Sequence, residues 1–490
     1  MTTNKYLLSS SNKTYNGSNH SQSLDGKKVM LPLLENSPKY TRLQHTQDVK
    51  NVAYQIAEKL KGKIPAINLD KLSTMVDWHD IGHCPYAHAG EEELNRLLSE
   101  NGDIYYDSFY SGYKHNLLSA KILLDERKDI SWDIIDGIIK HSAVLPKNFN
   151  VRQVKGYNLL KLNYILREKS QSGNASWYTF ISSFFEEFPC QHCQLAQPNL
   201  NIVNDTKNNK LTICSREQRT NNYCCLVNSC NAKNGGLIAR YLLYPYSLTF
   251  EGAILYMADE ISCLANDIYY YFVFVNNKYK DTNTRHIIKL QVINALNILE
   301  AKYQGIKKYK VICDIARNLI ENPEEKTKNK FIQQFVKNIK ANKYQLIRNI
   351  DSVNVYVSQL NEKACLPLLT LNDKSQSIFT QIKKAIYGVI HKDQEIDKDN
   401  KNGASKLKKA FEEYYNNPIA FFELKENHTL ANDLKEVALQ VGIIPSMSSN
   451  LERAIQKCKD NPNESNSKLL NAFRREIVFY LARLKEDDLK

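Results

Sequence analysis

The chain has 490 residues, 42% hydrophobic and 10% aromatic, ordinary for a globular protein and enough to bury a large core. No apolar run reaches the ~18 residues of a membrane helix, and the start Met1-Thr2-Thr3-Asn4-Lys5 lacks the apolar stretch of a signal peptide, so the expected location is the cytoplasm, with no membrane partner. Lysine and arginine total 66 against 53 acids, a formal charge of +13 that favours anionic partners, polyphosphorylated substrates included.

Residues 1–36 are rich in Ser, Asn and Lys and read as a flexible segment. Arg42 and His45 then stand three apart, on one face if the chain is helical there. Val76 and Trp78 close an apolar helical stretch, and His79-Asp80-Ile81-Gly82-His83-Cys84-Pro85-Tyr86-Ala87-His88-Ala89-Gly90-Glu91 follows. Three imidazoles and two carboxylates within thirteen residues point to metal-assisted phosphate chemistry. Gly82 and Pro85 break the helix and hold the chain beside such an ion, and His88 and Glu91 share a face if a helix resumes. A His-Asp pair alone is commonly a surface or capping feature.

Six cysteines fall between Cys190 and Cys230. Cys190-x-x-Cys193, completed by two of Cys214, Cys224, Cys225 and Cys230, could hold structural zinc; a reduced, partly buried cluster is the alternative. Gly173 to about Asn234 reads as an insertion containing short strand, for example Lys210–Cys214 after the Asn208-Asn209 turn. Apolar residues at 254, 257, 258, 261, 264, 265 and 268 then have helical spacing, with Asp259 at the edge of the stripe and Asp267 two turns on.

Much of the basic excess lies in Lys302–Arg348. It reads as a solvated helical face, with a nucleotide regulatory site at a subunit interface or nucleic-acid contact as less favoured alternatives. Phe331, Phe335, Ile339, Leu346 and Ile350 predict one helix over 330–350, Asp393–Gly403 reads as an exposed charged linker, and 404–490 returns to helical patterns. No internal repeat, Walker loop or GxGxxG signature is present.

Together, Arg42 to His45, His79 to Glu91 and Ala258-Asp259-Glu260-Ile261-Ser262 resemble the motifs of HD-superfamily deoxynucleoside triphosphate triphosphohydrolases. That group contains bacterial dGTPases and the vertebrate SAM-and-HD-domain dNTPase. The resemblance covers roughly residues 38–145 and 245–272 in the family's order, and Tyr113–Asn116 and Ile138–His141 also look like segments of it. It implies a mainly α fold: an HD-domain helical bundle at 37–300 with the Cys-rich insertion 173–234 inside it, a basic helical region at 301–392 and a C-terminal helical region at 404–490.

It also implies that His45, His79, Asp80 and Asp259 ligate a divalent metal (Mn, Mg, Fe or Co) and that His88 and Glu91 are the catalytic pair. Arg42, His83, His115, Asp267 and position 263 would meet the substrate, Asp267 at the sugar 3′-hydroxyl. The family usually has Tyr where this chain has Cys263, which leaves room for another aromatic, such as one of Tyr269 to Tyr271, and argues against strict sugar or base specificity. The implied reaction converts a dNTP, dGTP-like, to deoxynucleoside and tripolyphosphate, controlling the dNTP pool and serving antiviral or antiphage defence. Implied partners are the nucleoside triphosphate, an allosteric nucleotide and further copies of the chain in a homo-oligomer. The alternatives are another HD nucleotide phosphohydrolase or phosphodiesterase, and a nucleotide-sensing or nucleic-acid-binding protein on an HD scaffold.

Overall fold

The computed structural model describes residues 24–30, 40–61 and 67–99, most of 113–142, the strands 202–205 and 210–213, most of 247–345 and 365–424, scattered positions from 434 to 446, and most of 450–489. It is mainly α, as the sequence implies. The first five helices are α1 (Arg42–Leu60), α2 (Leu69–Trp78), α3 (Ala87–Ser99), α4 (His115–Glu126) and α5 (Trp132–Lys140). Their starts follow ordinary capping chemistry. The Thr41 hydroxyl accepts from Gln44 N–H at 3.4 Å, and the Asn68 amide oxygen accepts from Lys71 N–H at 3.0 Å.

The spine of the first core is α6 (Phe250–Lys278), 29 residues capped by Thr249 and packed against α1, α2 and α5. Its buried residues surround the helix over much of its length, as a central element requires. Gly137 permits the crossing of α5 over α6: a Cβ there would fall 2.6 Å from Met75 Sδ and 3.2 Å from Gly252 Cα. Helices α7 (Thr282–Lys302), α8 (Lys307–Glu321) and α9 (Glu325–Val336), the hairpin β3 (Ile339–Gln345) with β4 (Cys365–Leu371), and α10 (Asp373–Ile390) complete this core, which runs in sequence from Val29 to Ile396.

A second core gathers α11 (Gln394–Asn416), α12 (Pro418–Glu423), α13 (Leu451–Asp460) and α14 (Glu464–Arg483) around Ile81, Cys84 and Tyr86, which follow α2, and around Leu94 and Leu97 of α3. Trp78 packs against both cores, so the His-Asp run that follows it sits at their seam. No helix among the described residues is long and apolar enough to cross a membrane.

Three expectations change. The expected helix over 330–350 ends at Val336, and the chain turns into β3, whose Ile339 and Ala341 lie opposite Leu371 and Leu369. Phe331, Phe335 and Ile339 are buried as the spacing requires. The strand partner, however, lies some thirty residues downstream, and local periodicity carries no trace of it. Asp393–Gly403 is no linker: Asp393 caps α11, accepting from Glu395 and Ile396 N–H, and also accepts from the hydroxyls of Tyr271 at 3.2 Å and Tyr279 at 3.1 Å. Its many charges face water while Ile396, Gly403, Leu407 and Phe411 are buried. Within 1–36, residues 24–30 are packed, with Lys27 and Lys28 fully buried.

Within the expected insertion, β1 (Ile202–Asp205) pairs antiparallel with β2 (Lys210–Ile213), where strand was expected. Cys190, Cys193, Cys214, Cys224, Cys225 and Cys230 lie outside the described residues, so the zinc expectation does too.

Candidate functional site

Four segments meet at the seam. The first turn of α1 supplies Arg42 and His45, both buried, as Thr41 fixes where that turn begins. Helix α2 ends at Trp78; His79 caps it, with its Nδ1 2.7 Å from Val76 O, which turns Nε2 toward Asp80. Helix α4 lies so close to the following turn that a Cβ on Gly82 would sit 2.3 Å from His115 O. Ser119 ties the two together, donating to His79 O at 2.7 Å and accepting from Gly82 N–H at 2.9 Å. Asp259 enters from α6.

Asp80 is the hub. Its Oδ2 accepts from Arg42 at 2.8 Å and lies 3.5 Å from His45 Nε2; its Oδ1 lies 3.5 Å from His79, 3.4 Å from His83 and 3.6 Å from His141. Asp259 Oδ1 is 3.0 Å from His45 Nε2 and 4.0 Å from His79 Nε2. The structure thus brings together the four residues expected as metal ligands.

The fit to a cation rests on the donor set and on unused valence. The buried Nε2 atoms of His45 and His79 have no hydrogen-bond partner, although carboxylate oxygens stand within 4.0 Å. A ligand nitrogen with its other ring nitrogen held by a backbone or side-chain oxygen is the usual metal-site arrangement. His79 has Val76 O, and His45 Nδ1 has Tyr40 Oη at 3.0 Å. Burial pulls the pKa of His79 to about 4, which keeps it neutral, as coordination requires. Burial alone would lower His45 and raise Asp80, but charged neighbours reverse both: Asp259 and Asp80 raise His45, while His79 and Arg42 hold Asp80 well below the carboxylate range.

The sequence gives His141 no role, although Ile138–His141 resembles a segment of the family. His141 caps α5 as His79 caps α2, with Nδ1 2.6 Å from Ile138 O and Nε2 toward Asp80. The available signal was a His directly after an apolar helical run. Three groups among the described residues could each hold an ion: His45, His79 and Asp259; His79, Asp80 and His141; Asp80, His83 and His115.

Glu91 stands 3.8 Å from His88 Nδ1 and 3.1 Å from His115 Nδ1. The His88 side chain is 75% exposed, whereas His115 is buried, stacked on His83 at 3.6 Å, with its Nε2 3.4 Å from His141 Nε2. Burial would raise Glu91, but His115 and His88 push it far below the carboxylate range, so it is ionised and orients His115. Arg42, expected at phosphate, holds Asp80.

Cys263 donates to Asp259 Oδ1 at 3.4 Å, and burial pushes its thiol well above the ordinary range. The aromatic beside it comes from elsewhere than expected. Tyr270 stacks on Tyr40 at 4.2 Å and Tyr271 donates to Asp393, whereas Tyr387 of α10 donates to Asp267 at 2.5 Å.

Beneath the turn, the Lys27 ammonium donates to His83 O at 2.7 Å and Ala482 O at 2.9 Å. Burial lowers its pKa from 10.5 to about 7. The unfolded chain therefore holds a proton that the folded protein releases above pH 7, and stability contributed by this residue rises with pH from there toward 10.5. Denaturant melts at pH 7 and pH 8 should show wild type gaining stability that Lys27→Met does not gain; identical pH dependence would contradict the burial effect.

Residues 42–167 match the family model described as HD domain. The chain is similar to a deoxyguanosinetriphosphate triphosphohydrolase-like protein of Rickettsia bellii (strain RML369-C), 31% identical over 157 residues that cover 30% of this chain and 37% of the relative. The like-named protein of Rickettsia akari (strain Hartford) is also 31% identical over 157 residues, with the same coverage. That of Geobacter sulfurreducens is 36% identical over 111 residues, 21% of this chain and 25% of the relative. The match thus spans little more than a third of the rickettsial relatives' length and a quarter of the Geobacter one. It holds His45, His79, Asp80, His88, Glu91, His115 and His141, and α6 adds Asp259 from outside it, so the chain carries an HD domain.

Proposed function

We propose that the chain is a metal-dependent nucleoside triphosphate hydrolase that converts a dNTP to deoxynucleoside and tripolyphosphate. The observation that carries this reading is the convergence of two unpartnered buried imidazole nitrogens with Asp80 and Asp259 at one point. The names of the relatives and the resemblance of the motifs supply the substrate class.

His45, His79, Asp80 and Asp259 would hold the ion, and two imidazoles with two carboxylates suit Mn, Fe or Co as well as Mg. A divalent ion there lowers the pKa of water and polarises a phosphate oxygen. Arg42 keeps the Asp80 carboxylate oriented; a lysine could not reproduce its planar fork. Glu91 holds His115, and either His115 Nε2 or the exposed His88 then passes the proton to the leaving 5′-oxygen as water attacks the α-phosphorus. Asp267 and Tyr387 form a polar pair two turns along α6 from Asp259, placed to take the sugar hydroxyl. Cys263, one turn from each of Asp259 and Asp267, takes less room there than a tyrosine would.

Control of the dNTP pool, with starvation of foreign DNA replication, is the role this chemistry would serve. Product identity tests the proposal: dNTP turnover that depends on added Mn or Mg and yields tripolyphosphate supports it. Release of single phosphates or pyrophosphate favours another HD phosphohydrolase activity.

A further inference from the structure

The signature run contains the only two non-glycine residues among those described whose backbones lie in the left-handed region, and they are adjacent: Tyr86 at φ 64° and Ala87 at φ 53°. Side chains disfavour this region, so such a pair persists only where surrounding contacts over-determine it. The turn matters because it launches α3 and sets the direction in which His88 and Glu91 leave the loop.

Contacts within the loop help: Gly90 N–H donates to Tyr86 O at 3.2 Å, and a Cβ on Gly90 would lie 1.9 Å from Pro85 O. The remaining contacts come from the far end of the chain. Glu486, in the 3-10 turn Glu486–Asp488, points its carboxylate at the strained residue: Oε1 accepts from Tyr86 N–H at 3.0 Å and from Lys28 N–H at 3.2 Å. Its backbone joins in, since its carbonyl accepts from the Tyr86 hydroxyl at 3.3 Å and its N–H donates to Gly26 O at 3.1 Å. On another side of Tyr86, α11 presses Gly403 so close to the ring that a Cβ would fall 2.2 Å from it.

The geometry points to Glu486 as a positioning residue for the proposed reaction: together with residues 26–28 it clamps the Tyr86-Ala87 turn and thereby aims Glu91 and the imidazoles beside it. It touches none of the residues that would hold the ion, so its effect should fall on turnover and spare metal. This rests on the functional reading above.

The test compares wild type with Glu486→Ala, Glu486→Gln, Ala87→Gly and the Ala87→Gly/Glu486→Ala double variant, measuring kcat, KM, bound Mn and amide exchange of a peptide covering 84–91. Glycine adopts positive φ without a side-chain penalty. A clamp that holds that conformation therefore becomes partly dispensable once Ala87 is glycine. Glu486→Ala should lower kcat by roughly 10- to 100-fold, as small misplacements of reacting groups do, with KM and Mn content unchanged. Glu486→Gln, whose amide oxygen can still accept both N–H groups, should keep most of the activity. The double variant should recover part of the lost turnover and of the exchange protection, since Tyr86 keeps its positive φ.

If Glu486→Ala loses Mn, raises KM, or fails to be rescued by Ala87→Gly in either turnover or exchange, Glu486 is only structural and the inference is wrong. If wild type makes products other than tripolyphosphate, the functional reading fails alone, and the same comparison is read on those products. If wild type shows no turnover, amide exchange decides: unchanged protection of 84–91 in Glu486→Ala overturns the clamp.

Discussion

Replacing Asp80 with Asn is expected to remove bound metal and to lower turnover by about 10³- to 10⁴-fold or more. An ion at such a site contributes several kcal/mol to charge stabilisation, at roughly tenfold per 1.4 kcal/mol. Asp80 has this leverage because it faces in two directions: one oxygen meets Arg42 and His45, the other His79, His83 and His141. Asn keeps the shape but cannot neutralise that assembly. Asp80→Ala would in addition strand Arg42 as a buried cation, at a cost of ~3–5 kcal/mol typical of a broken buried pair. A folded Asp80→Asn protein that retains wild-type Mn by elemental analysis would remove Asp80 from the ligand set.

The second large effect separates proton handling from metal binding. His115→Ala is expected to lower kcat by roughly 10²- to 10⁴-fold, the usual worth of a positioned acid or base, while Mn content stays near wild type. His88→Ala should also spare metal, with a smaller loss. The ordering follows from geometry: Glu91 grips His115 at 3.1 Å in a buried setting, whereas His88 is 3.8 Å from Glu91 and largely in water. The opposite ordering would return the proton transfer to His88, in keeping with the family resemblance, and make His115 an orienting group. Loss of metal in His115→Ala equal to that in Asp80→Asn would place His115 among the ligands, through its group with Asp80 and His83.

The parts of this site that were legible in the sequence are those written locally. His79, Asp80, His88 and Glu91 fall in one run, and Arg42 and His45 in one helical turn. Asp259 betrayed itself as a carboxylate on the border of an apolar stripe, where burial is unfavourable without a partner. The helices were legible for the same reason, since an apolar face at 3.6-residue spacing is a local signal. The parts that were missed depend on distant contacts. His141 is one residue after a helix whose direction only tertiary packing reveals. Tyr387 reaches Asp267 across 120 positions, and the acid that steadies Tyr86 lies 400 positions away. β3 looked helical because Phe331, Phe335 and Ile339 fit a helix, and its conversion to strand comes from pairing with Cys365–Leu371. The charges of Asp393–Gly403 suggested a solvent-exposed linker because the two tyrosine hydroxyls that donate to Asp393 come from a distant segment, Tyr271 in α6 and Tyr279 at its C-terminal cap.

Burial also explains why the imidazoles here differ although each belongs to the same residue type. His79, His83 and His115 are held low, chiefly by loss of water, whereas carboxylate contacts overcome burial at His45 and His141 and raise them.

Cleavage at the α-phosphorus, as proposed for this chain, is read out by phosphorus NMR of the products. Purified protein incubated with Mn and each dNTP, the Mn then being removed on a chelating resin, should give the two resonances of free tripolyphosphate, in a ratio of about 2:1 from its two terminal and one central phosphorus, with an equal amount of unphosphorylated deoxynucleoside by chromatography. Accumulation of orthophosphate with a nucleoside diphosphate, or of pyrophosphate with a nucleoside monophosphate, would contradict it.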